Sequence, residues 1–146
     1  MRDSVPNQLG KLFRVMARAH NRALKRHEVS AVQAHILATL WLGGPMTIGE
    51  LQSTLQLGSS TLTGALDRME KVGLVRRLPV AGDRRAFRLE PVAWPQKRKE
   101  ALLATLNETE DRCFAGLSDG ERRELSRLLD KALTSIREVQ GGDDDE

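Results

Sequence analysis

Apolar positions along the chain follow first a helical period, then an alternating one, then a helical one again. From Gln8 to about Arg26, Leu9, Leu12, Phe13, Met16, Ala17 and Leu24 recur three to four residues apart, which predicts a long amphipathic helix. Lys11, Arg14, Arg18, Arg22 and Lys25 fill its other side, and the residues before Asn7 read as a mobile lead-in with Pro6 near the first turn. A second helix opens at Ser30 and Gln33, which have capping-box spacing. It carries Ile36, Leu37, Leu40 and Trp41 on one face until Gly43-Gly44-Pro45 stops it. Thr47 and Glu50 repeat the capping box for a short third helix, with Met46 and Leu51 as its hydrophobic staple and Ile48, Leu51 and Leu55 facing one way. That helix ends near Leu57-Gly58. Ser59 reads as the N-cap of a fourth helix, on which Leu62, Leu66 and Met69 face a core, and Gly73 with Leu74 matches a Schellman ending.

The period then becomes alternating. Leu74 to Val80 and Arg85 to Glu90 read as two strands, with Ala81-Gly82-Asp83-Arg84 as the turn between them. Trp94-Pro95 opens a fifth helix, along which Leu102, Leu103, Leu106, Cys113 and Phe114 form an apolar side. Ser118 and Glu121 make a third capping box, before a last helix striped by Leu125, Leu128, Leu129, Leu133, Ile136 and Val139 and ended by Gly141-Gly142.

The fourth helix and the hairpin carry the candidate chemistry. Away from its apolar side, the helix holds Ser59, Ser60, Thr61, Thr63, Gly64, Asp67, Arg68 and Lys71. Small residues let a backbone come close to a major groove, and polar groups meet base edges and phosphates there. The hairpin carries Arg76, Arg77, Arg84, Arg85 and Arg88 against Asp83 and Glu90. Arginines on a projecting hairpin suit phosphates and the negative potential of a narrow minor groove. A capping box alone marks only a helix start, and an Arg-rich hairpin alone is usually a solvated strand pair. It is their order within 46–92 that predicts a winged helix-turn-helix.

That order, and the run Gly73-Leu74-Val75-Arg76-Arg77 leading to Gly82-Asp83-Arg84-Arg85-Ala86, resembles the MarR (multiple antibiotic resistance regulator) family. The family's D-x-R wing signature is matched by Asp83 and Arg85; the resemblance implies that the arginine enters the minor groove and the aspartate helps hold the wing. The chain departs from the family after the wing, where Leu89-Glu90-Pro91-Val92-Ala93-Trp94-Pro95 replaces a Leu-Thr pair followed by glycine.

The expected fold is therefore mainly α with a small β-hairpin wing, in one domain. Residues 30–92 form the DNA-binding lobe, 1–26 and 96–140 the dimerisation helices, and 141–146 a disordered acidic tail. The outer helices carry more apolar surface than a small winged helix needs, and the resemblance too implies a homodimer. Ser60, Thr61, Thr63 and Arg68 are candidates for base or nearby phosphate contacts, Arg76, Arg77 and Arg84 for the backbone, and Arg85 for the minor groove. The resemblance also implies a small-molecule effector pocket, for which His20 and Trp41 are candidate lining residues.

Composition narrows the alternatives. The 146 residues are 40% hydrophobic and 29% charged, with no apolar run long enough for a membrane span and no signal-peptide pattern, so a cytoplasmic protein is expected. Formal net charge is +3, and without the four acidic groups of Asp143-Asp144-Asp145-Glu146 it rises to +7, a balance that favours phosphate-bearing partners. His20, His27 and His35 offer no i, i+4 pair, so no metal site or cofactor is expected. Cys113 is the only cysteine and reads as a buried, inert thiol. No nucleophile–base motif or phosphate-cradling glycine loop marks an enzyme. The functional expectation is a sequence-specific regulator binding double-stranded DNA, most simply a homodimeric repressor of a palindromic operator, released by an effector. The competing class is a winged-helix protein-interaction module without specific DNA binding.

Overall fold

A computed structural model describes residues 3–142, with the backbone path alone beyond 137. The elements run α1 (Val5–Leu24), a 3-10 turn (Lys25–His27), α2 (Ala31–Gly43), α3 (Ile48–Leu55), α4 (Ser59–Lys71), β1 (Val75–Val80), β2 (Asp83–Pro91), α5 (Gln96–Cys113) and α6 (Asp119–Gly142). Their packing separates two units, Met1–Thr109 and Glu110–Glu146, with the division falling inside α5. No helix among the described residues is long and apolar enough to cross a membrane.

In the first unit, α2 is the central strut. It is apolar on nearly every side, and Ala31, Ala34, Ile36, Leu37 and Leu40 are all buried, more than the single face its sequence suggested. The reason is that α1, α3, α4 and β2 each pack on it from a different direction. Leu24, Leu51, Leu62, Leu66, Met69, Leu89 and Leu102 complete this core. Burying such a side chain stabilises by about 1.5–3 kcal/mol. The capping box at α2 closes as expected, with Gln33 N donating to Ser30 Oγ at 3.2 Å and Ser30 N to Gln33 Oε1 at 3.0 Å.

The helix starts and stops differ from expectation in three places. α1 begins at Val5, with Pro6 in its first turn, and stops at Leu24, where the chain tightens into the 3-10 turn closed by Glu28 in a left-handed conformation. Ser59 is not an N-cap: Gly58 holds that position with extended backbone, and Ser59 is the first helical residue. α3 ends on Gln56, whose φ of 52° makes the turn before Gly58 is reached.

The hairpin is tighter than the four-residue turn expected. β2 already begins at Asp83, so only Ala81-Gly82 connect the strands, with Gly82 at φ 83°. The strands pair antiparallel from Val75↔Pro91 to Pro79↔Phe87, with a register shift between Pro79 and Val80. Met46 and Leu89 exchange both backbone bonds, at 3.1 and 2.7 Å, and so fasten the wing to the start of the helix-turn-helix.

In the second unit, Ser118 and Glu121 form the capping box of α6, with Glu121 N donating to Ser118 Oγ at 3.2 Å and Ser118 N to Glu121 Oε2 at 2.8 Å. Arg122 donates to Asp111 Oδ1 at 2.8 Å and ties α6 to the end of α5. Cys113, expected to be buried, is half-exposed at the last turn of α5. The helix runs on through Gly141 and Gly142, which raise its cost by roughly 1 kcal/mol each over alanine but forbid nothing. The rest of the acidic tail, 143–146, lies outside the described residues.

Candidate nucleic-acid interface

Short-range chemistry fixes the helix-turn-helix. Glu50 N donates to Thr47 Oγ1 at 3.1 Å and Thr47 N to Glu50 Oε2 at 3.0 Å, which sets the start of α3. Gln52 Nε2 of α3 donates to Ser59 Oγ of α4 at 3.0 Å across the turn. Leu62, Ala65, Leu66 and Met69 bury one side of α4. The other side is thereby turned outward: Ser59, Ser60, Thr61, Thr63, Asp67 and Arg68 are all exposed, and Gly64 is half-exposed. The Schellman ending is complete, with Leu74 N donating to Met69 O at 2.8 Å and Gly73 N to Glu70 O at 3.1 Å. Gly73 adopts φ 76°, so the chain turns directly from α4 into β1.

The hairpin arginines divide into two groups. Arg84 and Arg85 are exposed at the tip and have no ion pair among the described residues. Asp83 Oδ1 accepts from Arg85 N at 2.9 Å, so the aspartate braces the tip while the arginine side chain is left outward. Arg76 pairs with Glu90 on the neighbouring strand. Arg77 turns back on α4: its Nε donates to Glu70 Oε2 at 2.9 Å and its Nη2 to Asp67 Oδ1 at 3.3 Å. Its guanidinium also lies 4.4 Å from the centre of the Phe87 ring. Arg88 reaches the Pro45 carbonyl at 3.4 Å. The residues that hold Arg77, namely Glu70 and Phe87, were not singled out in the sequence. No periodic rule pairs positions across a Schellman turn or between a helix and a strand.

Lys97, Arg98 and Lys99 stand at the start of α5, the unfavourable end for positive charge. Aromatic faces compensate: Arg98 lies 3.8 Å from the Trp94 ring centre and Lys99 5.4 Å from that of Trp41. The two tryptophans meet edge to face at 5.4 Å, joining α2 to the chain that leads from the wing into α5.

His20 is 7% exposed, its Nδ1 is 2.9 Å from Met16 O, and its ring lies 5.7 Å from that of His35. A cleft of about 580 Å³ in the first unit is lined by Glu28, Gln33, Leu74, Trp94 and Arg98, among others. Beside it Thr105 Oγ1 accepts from Arg26 Nη2 at 2.8 Å and lies 2.8 Å from His27 Nε2. Burial lowers the His27 pKa below its ordinary value, and the charges of Arg26 and Arg98 lower it further.

The model of the MarR family matches residues 29–87. The regulator PecS of Dickeya dadantii is 39% identical over 88 residues, 56% of this chain and 53% of its own length; the match thus spans about half of that protein. The regulator MgrA of Staphylococcus aureus is 27% identical over 122 residues, 82% of this chain and 80% of its own. Among solved structures, a mutant MarR from E. coli complexed with operator DNA aligns at a TM-score of 0.79 and 23% identity, over 88% of this chain and 93% of that one. A complex of S. aureus MepR with DNA aligns at 0.80 and 21%, over 92% and 99%. These likenesses establish the winged-helix fold.

Proposed function

We propose that this chain, whose residues 29–87 match the MarR family model and which is similar to HTH-type transcriptional regulators, binds double-stranded DNA sequence-specifically and regulates transcription. In this reading it acts in the cytoplasm as a homodimeric repressor of a palindromic operator. The observation that carries the reading is the joint presentation, from one rigid turn, of the exposed polar side of α4 and a wing tip whose Arg84 and Arg85 have no ion pair among the described residues. α4 would occupy a major groove, with Ser60, Thr61, Thr63 and Arg68 at base edges or phosphates. Arg85 would reach the flanking minor groove. Arg84 would meet the backbone.

Two-fold pairing is supported by apolar side chains exposed on the single chain: Leu9, Leu12 and Phe13 on α1, and Leu128, Leu133 and Ile136 on α6. It predicts half-sites about 34–36 Å apart, one turn of DNA. A small-molecule effector would release the operator by binding one of two dimer arrangements better than the other. The cleft lined by Glu28, Trp94 and Arg98 offers the room. Selection of bound fragments from a genomic library tests the whole proposal. Enrichment of palindromic sites, with affinity that falls steeply with salt, is the expected result. Retention of every duplex equally, or of none, would refute it.

A further inference from the structure

The helix offered to DNA carries two carboxylates of its own, and carboxylates repel phosphates. We propose that Arg77, although it stands on β1, is a charge mask for this helix. It offsets part of the negative charge of Asp67 and Glu70 in place and leaves Arg68 free to act on the groove. The inference rests on the DNA-binding reading. It gives Arg77 a positioning and electrostatic role instead of the direct phosphate contact that its residue type suggested.

Asp67 and Glu70 are three residues apart, so they share one face of α4. Arg77 spans both: Nε donates to Glu70 and Nη2 to Asp67, while Phe87 covers one face of the guanidinium. Two of its three guanidinium nitrogens are engaged by acids and one face by a ring, while the side chain as a whole is 39% exposed. Arg68 has the opposite environment. It is exposed and makes no ion pair among the described residues. Asp67 and Glu70, one and two positions away, do not face it on a helix.

Gly64 completes the arrangement. A Cβ at Gly64 would stand 3.4 Å from Arg68 Nη1, so the guanidinium lies back along the helix over a bare Cα. Arg14 lies over Gly10 in the same way, which identifies the lean as what a helix does with G-x-x-x-R. It carries the Arg68 charge towards the N-terminal half of α4, the part of such helices that contacts bases. Without Arg77, two negative charges would stand on the same helix within a Debye length, about 8 Å at physiological ionic strength, where salt screens them poorly.

The test is a cycle of four proteins: wild type, R77M, D67N/E70Q and the triple variant. Methionine keeps an unbranched apolar side chain for Phe87 and removes the charge, and thermal melting verifies that each variant is folded. The probe is the labelled duplex that the wild type enriches most from genomic fragments. In the wild-type background, R77M is expected to weaken binding roughly three- to tenfold, and in the D67N/E70Q background to change it by less than about twofold. D67N/E70Q, which leaves Arg77 untouched, should bind at least as tightly as the wild type. An equal loss from R77M in both backgrounds, with the salt slope falling by about one, would make Arg77 a phosphate contact and overturn the mask. So would no loss in either, or weaker binding by D67N/E70Q. If the wild type prefers no duplex at all, the DNA-binding reading falls and the mask falls with it.

Discussion

Single side chains at the wing tip and beside the cleft have effects that can be separated. Arg85→Ala removes an exposed guanidinium while leaving intact the Asp83 bond to the backbone at that position, so the fold should be unaffected. We expect operator affinity to fall by roughly 1–2 kcal/mol and the salt slope by about one. Titration of a labelled operator at several salt concentrations, beside a melting curve, checks both. His27 gives a pH-dependent effect. Its folded pKa lies below the ordinary 6.5, so the folded protein resists a proton that the unfolded chain accepts. The stability this contributes is complete above pH 6.5 and is lost as pH falls through the depressed value. His27→Gln should therefore lose less melting temperature than the wild type between about pH 7.5 and about pH 5. Equal losses would place the pH sensitivity elsewhere.

Among elements, the junction of α4 with β1 determines whether the groove-facing helix and the wing can act together. Gly73 sits there at φ 76°, and a Cβ added to it would meet nothing within 4 Å. The cost of Gly73→Ala is thus conformational rather than steric crowding by a neighbour, about 1–2 kcal/mol. Urea unfolding should show that loss, and operator affinity should fall with it if the wing is displaced. At the other end of the helix-turn-helix, Thr47→Ala removes the oxygen that accepts from Glu50 N, leaves the backbone N–H that donates to Glu50 Oε2, and should cost about 1 kcal/mol.

Over the whole molecule, apolar burial is unevenly shared. Every buried apolar side chain of the described core lies at or before Leu106, within the first unit. In the second unit Phe114, Leu117 and Leu125 are only half-buried, and Ile136 is 55% exposed. A segment of that size whose described residues hold no buried core gains from a further surface that covers its apolar stripe. A second copy is the partner proposed. Phe13→Glu, at a residue 73% exposed on the single chain, and Leu133→Glu should each shift the protein towards monomer and weaken operator binding together. Light scattering across a concentration series measures the first effect. A wild-type protein that stays monomeric would contradict the pairing.

What could be read without the structure was whatever neighbours in sequence settle between themselves. The three capping boxes, the Schellman turn at Gly73 and the change from helical to alternating period are such features, and each closes within a few residues. They were sufficient for the winged-helix architecture and for the outward side of α4. Burial around the whole of α2, the fastening of Met46 to Leu89 and the edge contact of Trp41 with Trp94 depend on segments far apart in the chain. The fate of each arginine does too. Arg77 and Arg85 belong to the same basic run on paper, but folding sets one against two carboxylates and a ring and leaves the other in solvent. Residue type determines that a charge is present; the partners that the fold brings within a few ångströms determine what it acts on.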